Sequence, residues 1–396
     1  MTTTPLLKDT PYPALFTPLQ VRPLTLRNRF LMAAMTRDRN VPMNVPTDLM
    51  VEYCRQRARG GAALIVSEAV VVSQQGTPWA HPPGIWNEEQ VRAWKKITDA
   101  VHQEGAYIYA QLWHVGRISH AEAPEQIASG EPVYAPSAIV ARESGNFRFI
   151  PGQPSCSMPS EIQDPWKFVE IYRDAAINAK NAGFDGVEVQ CGGGWLVDEF
   201  LDSSANKRTD EWGGSVENRS RFGLEILKAV MEVFGPGRVG VKLTPAGGYN
   251  DVGMPLQETL NTLGYFITEA DKLSLSYFLL LRYMESFDPI IEGKRRGTNH
   301  DVVETWKPFI KNCHLFVNGG FTPQEASDLI VSGKVAGVFF ARPFIANPDF
   351  PKRLLHGVAL NAEIDMKKLY GPSDGSILKE AELRKGYTDY PDAGID

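Results

Sequence analysis

The sequence predicts an α/β chain folded as one (β/α)8 TIM barrel. Three observations carry that expectation. Eight short apolar runs are spaced along the chain, each the length of a buried parallel strand. Most are followed by a stretch of helical period, and alternating strands and helices argue for a right-handed parallel fold. The length, 396 residues, is ordinary for one elaborated barrel and long for one sandwich or bundle. Eight repeats favour a closed barrel over an open sheet.

The elements are placed in chain order. Phe16–Leu26 suits a small N-terminal hairpin closing the barrel bottom. The strands are expected at Phe30–Thr36, Ala63–Val70, Tyr107–Trp113, Gly186–Cys191, Val239–Pro245, Leu275–Arg282, His314–Gly320 and Ala336–Pro343. Helical period marks Glu88–His102, Trp166–Ala182, Asn218–Phe234, Leu256–Leu273, Pro323–Ser332 and Asp349–Leu355. Residues 114 to about 161 form a long insert after the third strand, which in a barrel sits as a cap on the C-terminal face. The tail from Met366 to Asp396 is polar and Gly-rich, with Tyr370 and Tyr387 available to pack it back. No repeat beyond the βα unit and no linker is visible, so 1–396 is expected to be a single domain.

Composition narrows the function. A net charge of −6 gives no reason to expect nucleic acid or an anionic membrane as partner. No apolar run reaches the roughly 18 residues a membrane span needs. Met1-Thr2-Thr3-Thr4-Pro5 lacks the basic and apolar regions of a signal peptide. The cysteines (Cys54, Cys156, Cys191, Cys313) show no CxxC spacing, which argues against a disulfide framework or a metal site and for the reducing cytoplasm. A small-molecule substrate and a monomer or homodimer are expected.

Function in a (β/α)8 barrel gathers where strands end at the C-terminal face. The polar residues there are Thr36, Gln111, Trp113, Gln190, Lys242, Arg282, the Asn318-Gly319-Gly320 turn and Arg342. Gly319-Gly320 before Thr322-Pro323 leaves backbone N–H groups for an anion, and Arg342 adds a cation. Strands seven and eight are the usual phosphate station of this fold, so a phosphorylated cofactor is expected. The plainer alternative is a Gly-rich turn and a surface arginine.

Longer motifs sharpen this. Met32-Ala33-Ala34-Met35-Thr36-Arg37, Gln111-Leu112-Trp113-His114-Val115-Gly116-Arg117, Val239-Gly240-Val241-Lys242-Leu243-Thr244-Pro245 and Phe339-Phe340-Ala341-Arg342-Pro343-Phe344-Ile345-Ala346-Asn347-Pro348-Asp349 resemble the Old Yellow Enzyme family of FMN-dependent, NADPH-linked ene-reductases. The resemblance covers about residues 13–392. It implies non-covalent FMN held by Ala34, Met35, Thr36, Ala69, Gln111, Lys242, Gly319, Gly320, Ala341 and Arg342. Thr36 would meet the flavin O4 and Gln111 the pyrimidine edge. Lys242 stands where the family usually has Arg, keeping the charge but losing the fork of donors. Ala341 replaces a usual Gly, which phosphate binding tolerates if its φ is negative.

The substrate motif departs. Where the family has His, Asn (or a second His) and Tyr, this chain has Gln190, Gly193 and Trp195. Gln190 keeps an amide donor and Gly193 has no side chain; losing one such donor costs about 10²–10³ in rate. Trp195 cannot act as the acid, because its indole N–H does not ionise usefully. It can stack on a flat or cationic substrate, or simply pack. Tyr370 aligns with a family tyrosine over the flavin and is the best remaining acid, although its ordinary pKa is ~10. Trp113 and Tyr249 match pocket-lining positions. Cys191 follows Gln190 in a strand and should point away, and His114 reads as a structural hydrogen-bonder.

Three functional expectations follow. The first is NADPH-linked reduction of an activated C=C bond. The second is a repurposed flavoenzyme, a desaturase or redox-neutral isomerase or cyclase acting on a bulky specialised metabolite. The third is a flavin-binding protein without turnover. A phosphate-sugar aldolase or isomerase is the fallback if no flavin binds; it lacks a convincing Schiff-base lysine.

Overall fold

The computed structural model describes residues 10–40, 44–77, 81–142, 156–372 and 379–395. The N-terminal segment Met1–Pro5, the middle of the cap insert and part of the expected tail lie outside the described residues. The eight barrel strands are β1 (Phe30–Met32), β2 (Leu64–Val71), β3 (Tyr107–Trp113), β4 (Gly186–Gln190), β5 (Val239–Leu243), β6 (Tyr277–Leu281), β7 (His314–Asn318) and β8 (Gly337–Phe340). Each pairs in parallel with its sequence neighbours, and β8 returns to β1 to close the barrel. The order of elements is the (β/α)8 arrangement that the apolar runs predict.

Alternation decides which side chains fill which layer. Val187, Val189 and Cys191 face outward into the layer beneath the helices, with Val239, Val241, Phe278 and Leu280. Tyr109, Tyr277, Phe316 and Phe339 face inward. Three of these inward aromatics fit because a strand neighbour is glycine: Tyr109 pairs with Gly186, Tyr277 with Gly240 and Phe316 with Gly337. A Cβ on Gly240 would lie 2.3 Å from the Tyr277 ring, closer than atoms can pack. The hairpin Leu19–Val21 and Leu24–Leu26 plugs the lower end with Leu19, Val21, Leu24 and Leu26.

Helix boundaries follow side-chain caps. Asn87 and Gln90 form a capping box at Glu88–Gln103, and Thr322 and Glu325 form another at Pro323–Val331. Two differences from the sequence reading have physical reasons. β1 ends at Met32, short of Thr36, because the next residues leave the ladder; Arg37 and Asp38 N–H groups donate instead to Glu68 Oε2 at 3.0 and 3.1 Å. The helix Asp48–Arg59 is missing from the predicted set because its buried face carries an arginine. Arg57 lies 3.6 Å over the Tyr53 ring and donates to the Phe344 and Ile345 carbonyls. The described parts of the cap insert contain a short helix, Pro124–Ser129, and a two-residue pairing of Tyr134–Ala135 with Ser160–Glu161. Tyr387 packs the tail back, stacked 4.3 Å from Tyr53.

Candidate functional site

Register brings the polar strand ends to one mouth. Gln111 pairs with Glu188 and Gln190 pairs with Lys242 across neighbouring strands. Glu188 is fully buried and accepts from Gln111 Nε2 at 2.6 Å and Tyr277 Oη at 2.9 Å. Burial raises its carboxyl above the usual range, against the opposing pull of Lys242 and the two donors. Burial also lowers the Lys242 ammonium, with Glu188 opposing. Lys242 makes no hydrogen bond or ion pair at contact distance among the described residues, so its donors are available to a ligand. Thr36, Met35 and Ala34 are half-buried on the segment that Glu68 pins, and Ala69 is buried beside Trp113.

The β7 and β8 ends form the second part. Gly319 and Gly320 have φ of +123° and +75°, a backbone that side-chain-bearing residues rarely adopt. Arg282 Nε donates to the Gly319 carbonyl at 2.7 Å and Nη2 to the Gly320 carbonyl at 3.0 Å, while its guanidinium lies 3.9 Å over Phe321. Arg282, a strand-end candidate in the sequence, is thus a clamp on the turn. Arg342 is exposed and ion-pairs with no described residue. Ala341 has φ −110°, so alanine sits there without strain. Asn318 Oδ1 is buried with no partner among the described residues.

The third part of the mouth is the loop leaving β4. Gly193 has φ +73°; its N–H donates to Thr244 Oγ1 at 2.6 Å and its carbonyl accepts from Asn250 Nδ2 at 2.8 Å. Gly194 N–H donates to Asp198 Oδ2 at 2.8 Å. Trp195 caps the short helix Leu196–Leu201 and meets Trp113 edge-on at 4.9 Å and Tyr249 at 6.2 Å. Tyr249 in turn packs on Phe287 at 5.4 Å. Gln190 is 8% exposed, and its Oε1 has no partner among the described residues. The structure therefore gathers Trp113, Trp195, Tyr249 and Gly193 directly, with Gln190 at the start of the same loop. Tyr370 is 45% exposed, on a tail segment whose Gly371 N–H donates to the Arg37 carbonyl at 2.9 Å.

Cys191 points away, and burial pushes its thiol well up. His114 Nε2 lies 2.8 Å from Gln75 Oε1, and burial drops its pKa to about 3, which keeps the ring neutral. Sequence reasoning missed the residues that hold the substrate loop. Thr244, Asn250 and Asp198 reach it from separate segments, and only Thr244, at a strand end, carried a signal. It also missed Asp251, a buried carboxylate that meets Arg142 and Arg296 at 3.2 and 2.6 Å and binds the cap to the rim.

These residues fit a flavin mononucleotide. A buried amide acceptor without a partner, an unpaired lysine, a glycine turn and a free arginine match a ring of donors and acceptors carrying a phosphate. Comparison with known proteins agrees. Residues 14–361 match the NADH:flavin oxidoreductase / NADH oxidase family. The chain is 37% identical to an NADP-dependent oxidoreductase, lnbE, of Aspergillus flavus, covering 96% of this chain and 97% of that one. It is 35% identical to aldehyde reductase FrzD of a Cladobotryum species, covering 95% and 94%. Morphinone reductase has a similar structure, with TM-score 0.83 at 37% identity over 98% of this chain and 99% of that one. No helix among the described residues is long and apolar enough to cross a membrane. Barrel, family match and relatives together show that the chain belongs to the NADH:flavin oxidoreductase / NADH oxidase family, in its Old Yellow Enzyme branch, and is an FMN-dependent oxidoreductase.

Proposed function

We propose that the protein uses NADPH to reduce an activated C=C bond next to a carbonyl, through an atypical substrate site. The observation that carries this reading is Gln190, a nearly buried side-chain amide opposite Lys242 whose Nε2 donates to no described residue, at the mouth where the proposed cofactor residues gather. Bound FMN would supply hydride transfer from NADPH to the alkene β-carbon. Gln111, Thr36 and Lys242 would orient its ring, and Gly319, Gly320, Ala341 and Arg342 would hold its phosphate. Gln190 would polarise the carbonyl, while Trp113, Trp195 and Tyr249 exclude water and fix the substrate plane. Tyr370, partly exposed on the returning tail, is the side chain proposed to deliver the α-proton. The relative's aldehyde reductase name supports a carbonyl-bearing substrate. Four cysteines without a disulfide among them fit a reducing compartment.

A second reading has its own observation. The indole at 195 packs against Trp113 and cannot release a proton, which favours an enzyme running oxidatively or without net redox, as a desaturase, isomerase or cyclase. Anaerobic stopped-flow separates the two. The purified holoenzyme is reduced with NADPH, then mixed with cyclohexenone. Fast bleaching and enone-driven reoxidation are expected. Bleaching without enone reoxidation, or no bleaching, would overturn the reductase reading in favour of the second.

A further inference from the structure

The turn after β5 holds a backbone that most residues avoid. Gly247 and Gly248 have φ of +67° and +92°, and past Tyr249 the left-handed backbone continues at Asn250 (+56°) and Asp251 (+58°). Asn and Asp tolerate this region better than other side chains, but two in succession persist only where their surroundings over-determine them. Three arginines from two other loops supply that constraint. The buried Asp251 carboxylate accepts from the Arg142 backbone N–H at 2.9 Å, from Arg142 Nη2 at 3.2 Å and from Arg296 Nη1 at 2.6 Å. The Asp251 carbonyl accepts from Arg117 Nη2 and Arg296 Nη1, both at 2.8 Å. Burial pulls the carboxyl up, yet Arg142 and Arg296 hold it below the usual range, so it stays charged. Asp251 is the acidic side chain that all three arginines share among the described residues.

The same turn reaches the loop leaving β4 twice. Asn250 Nδ2 donates to the Gly193 carbonyl at 2.8 Å, and the Tyr249 ring meets Trp195 at 6.2 Å. Arg117 and Arg142 come from the cap insert after β3 and Arg296 from the loop after β6, so one carboxylate links the loops that follow β3, β4, β5 and β6. We propose that Asp251 is a positioning residue: the arginines drawn onto its carboxylate hold the Tyr249–Asp251 turn in its left-handed shape, and that turn sets the Gly193 backbone and the aromatic wall. The inference rests on the proposed function only in taking this wall as substrate-facing.

Hydrogen exchange read by mass spectrometry on the FMN-loaded, full-length protein tests it. Asp251→Asn keeps the size and the tolerance for positive φ but removes the charge. The Gly193 amide, held to Thr244 Oγ1 at 2.6 Å, reports on the loop. In the variant the peptide spanning residues 191–197 should exchange about tenfold faster, the worth of one charge-assisted hydrogen bond, while peptides from β2 and β7 keep the parent's rates. Arg142→Met should give about threefold, and adding it to Asp251→Asn should change little more, because both act through one carboxylate. Where the parent turns over cyclohexenone, Asp251→Asn should raise its KM about tenfold and leave kcat within about twofold. Unchanged exchange at 191–197, or acceleration confined to the turn, would overturn the inference. So would equal acceleration across the barrel strands, which would make Asp251 a stability residue, strict additivity of the two substitutions, or a loss confined to kcat. If Asp251→Asn does not fold, Arg142→Met carries the same comparison at its smaller size. The exchange rates require no turnover, so failure of the reductase reading in its stopped-flow test is a separate result.

Discussion

The two halves of the barrel mouth are built on different principles. On the cofactor side, each polar group is set by strand register or by a backbone turn: Gln111 opposite Glu188, Lys242 opposite Gln190, and Gly319-Gly320 under the Arg282 clamp. On the substrate side, the loop after β4 is set by side chains from elsewhere, and its contacts are aromatic. Register is hard to alter one residue at a time, because changing it moves every side chain on the strand. A loop held by separate side chains can be repacked locally. That contrast would let one half of such a mouth be repacked while register holds the other.

The largest test of this contrast rebuilds the substrate side. Gln190→His, Gly193→Asn and Trp195→Tyr together should raise steady-state cyclohexenone reduction by about 10²–10³, the usual worth of a missing oxyanion donor. Gly193→Asn alone should fail to raise it, because its Cβ would meet the indole at 2.9 Å. Such non-additivity is what neighbouring residues show. An additive series would mean that the two positions are independent. The next test attacks the cofactor side. Arg342→Ala should weaken FMN binding by about 10- to 100-fold, the range for a charge-assisted contact, measured by titrating apoprotein with FMN. Unchanged affinity would remove Arg342 from the phosphate site.

A smaller effect is expected below the mouth. Gly240→Ala should cost about 1–3 kcal/mol in urea unfolding, since the new methyl must displace the Tyr277 ring. Loss of less than this would show that the interior layer gives way easily. The smallest effect concerns pH. Burial raises Asp198 to about 7 and Glu199 to about 8, beneath the substrate loop. Both carboxyls bind protons in the folded chain well above ~4, where an unfolded one releases them. Their contribution to stability is therefore full at low pH and falls as pH rises from ~4 through about 7 and 8. Asp198→Asn with Glu199→Gln should flatten the slope of melting temperature against pH between those limits. An unchanged slope would assign it to other groups.

Much of the fold was legible because buried parallel strands leave apolar runs and because alternation is strict. The inward Glu188 and outward Cys191 follow from their position in one strand. The aromatic–glycine pairs were not legible, since Tyr277 meets Gly240 only once the register of two distant segments is known. Asp48–Arg59 escaped because Arg57 is buried, contrary to the usual reading of a charged residue. In the site, strand-end positions were readable and their partners were not. Nothing local in the sequence links Gly193 to Asn250, or Asp251 to Arg142 and Arg296.

The fit between Gly193 and Trp195 also restricts this loop's evolutionary history. A larger residue cannot enter at 193 while the indole fills that space, so a lineage acquiring a side chain there must first shrink residue 195. That intermediate has neither the indole's packing on Trp113 nor a side chain at 193. The shorter route is closed by sterics and the longer one crosses a form with a weakened site, so the exchange behaves as a ratchet.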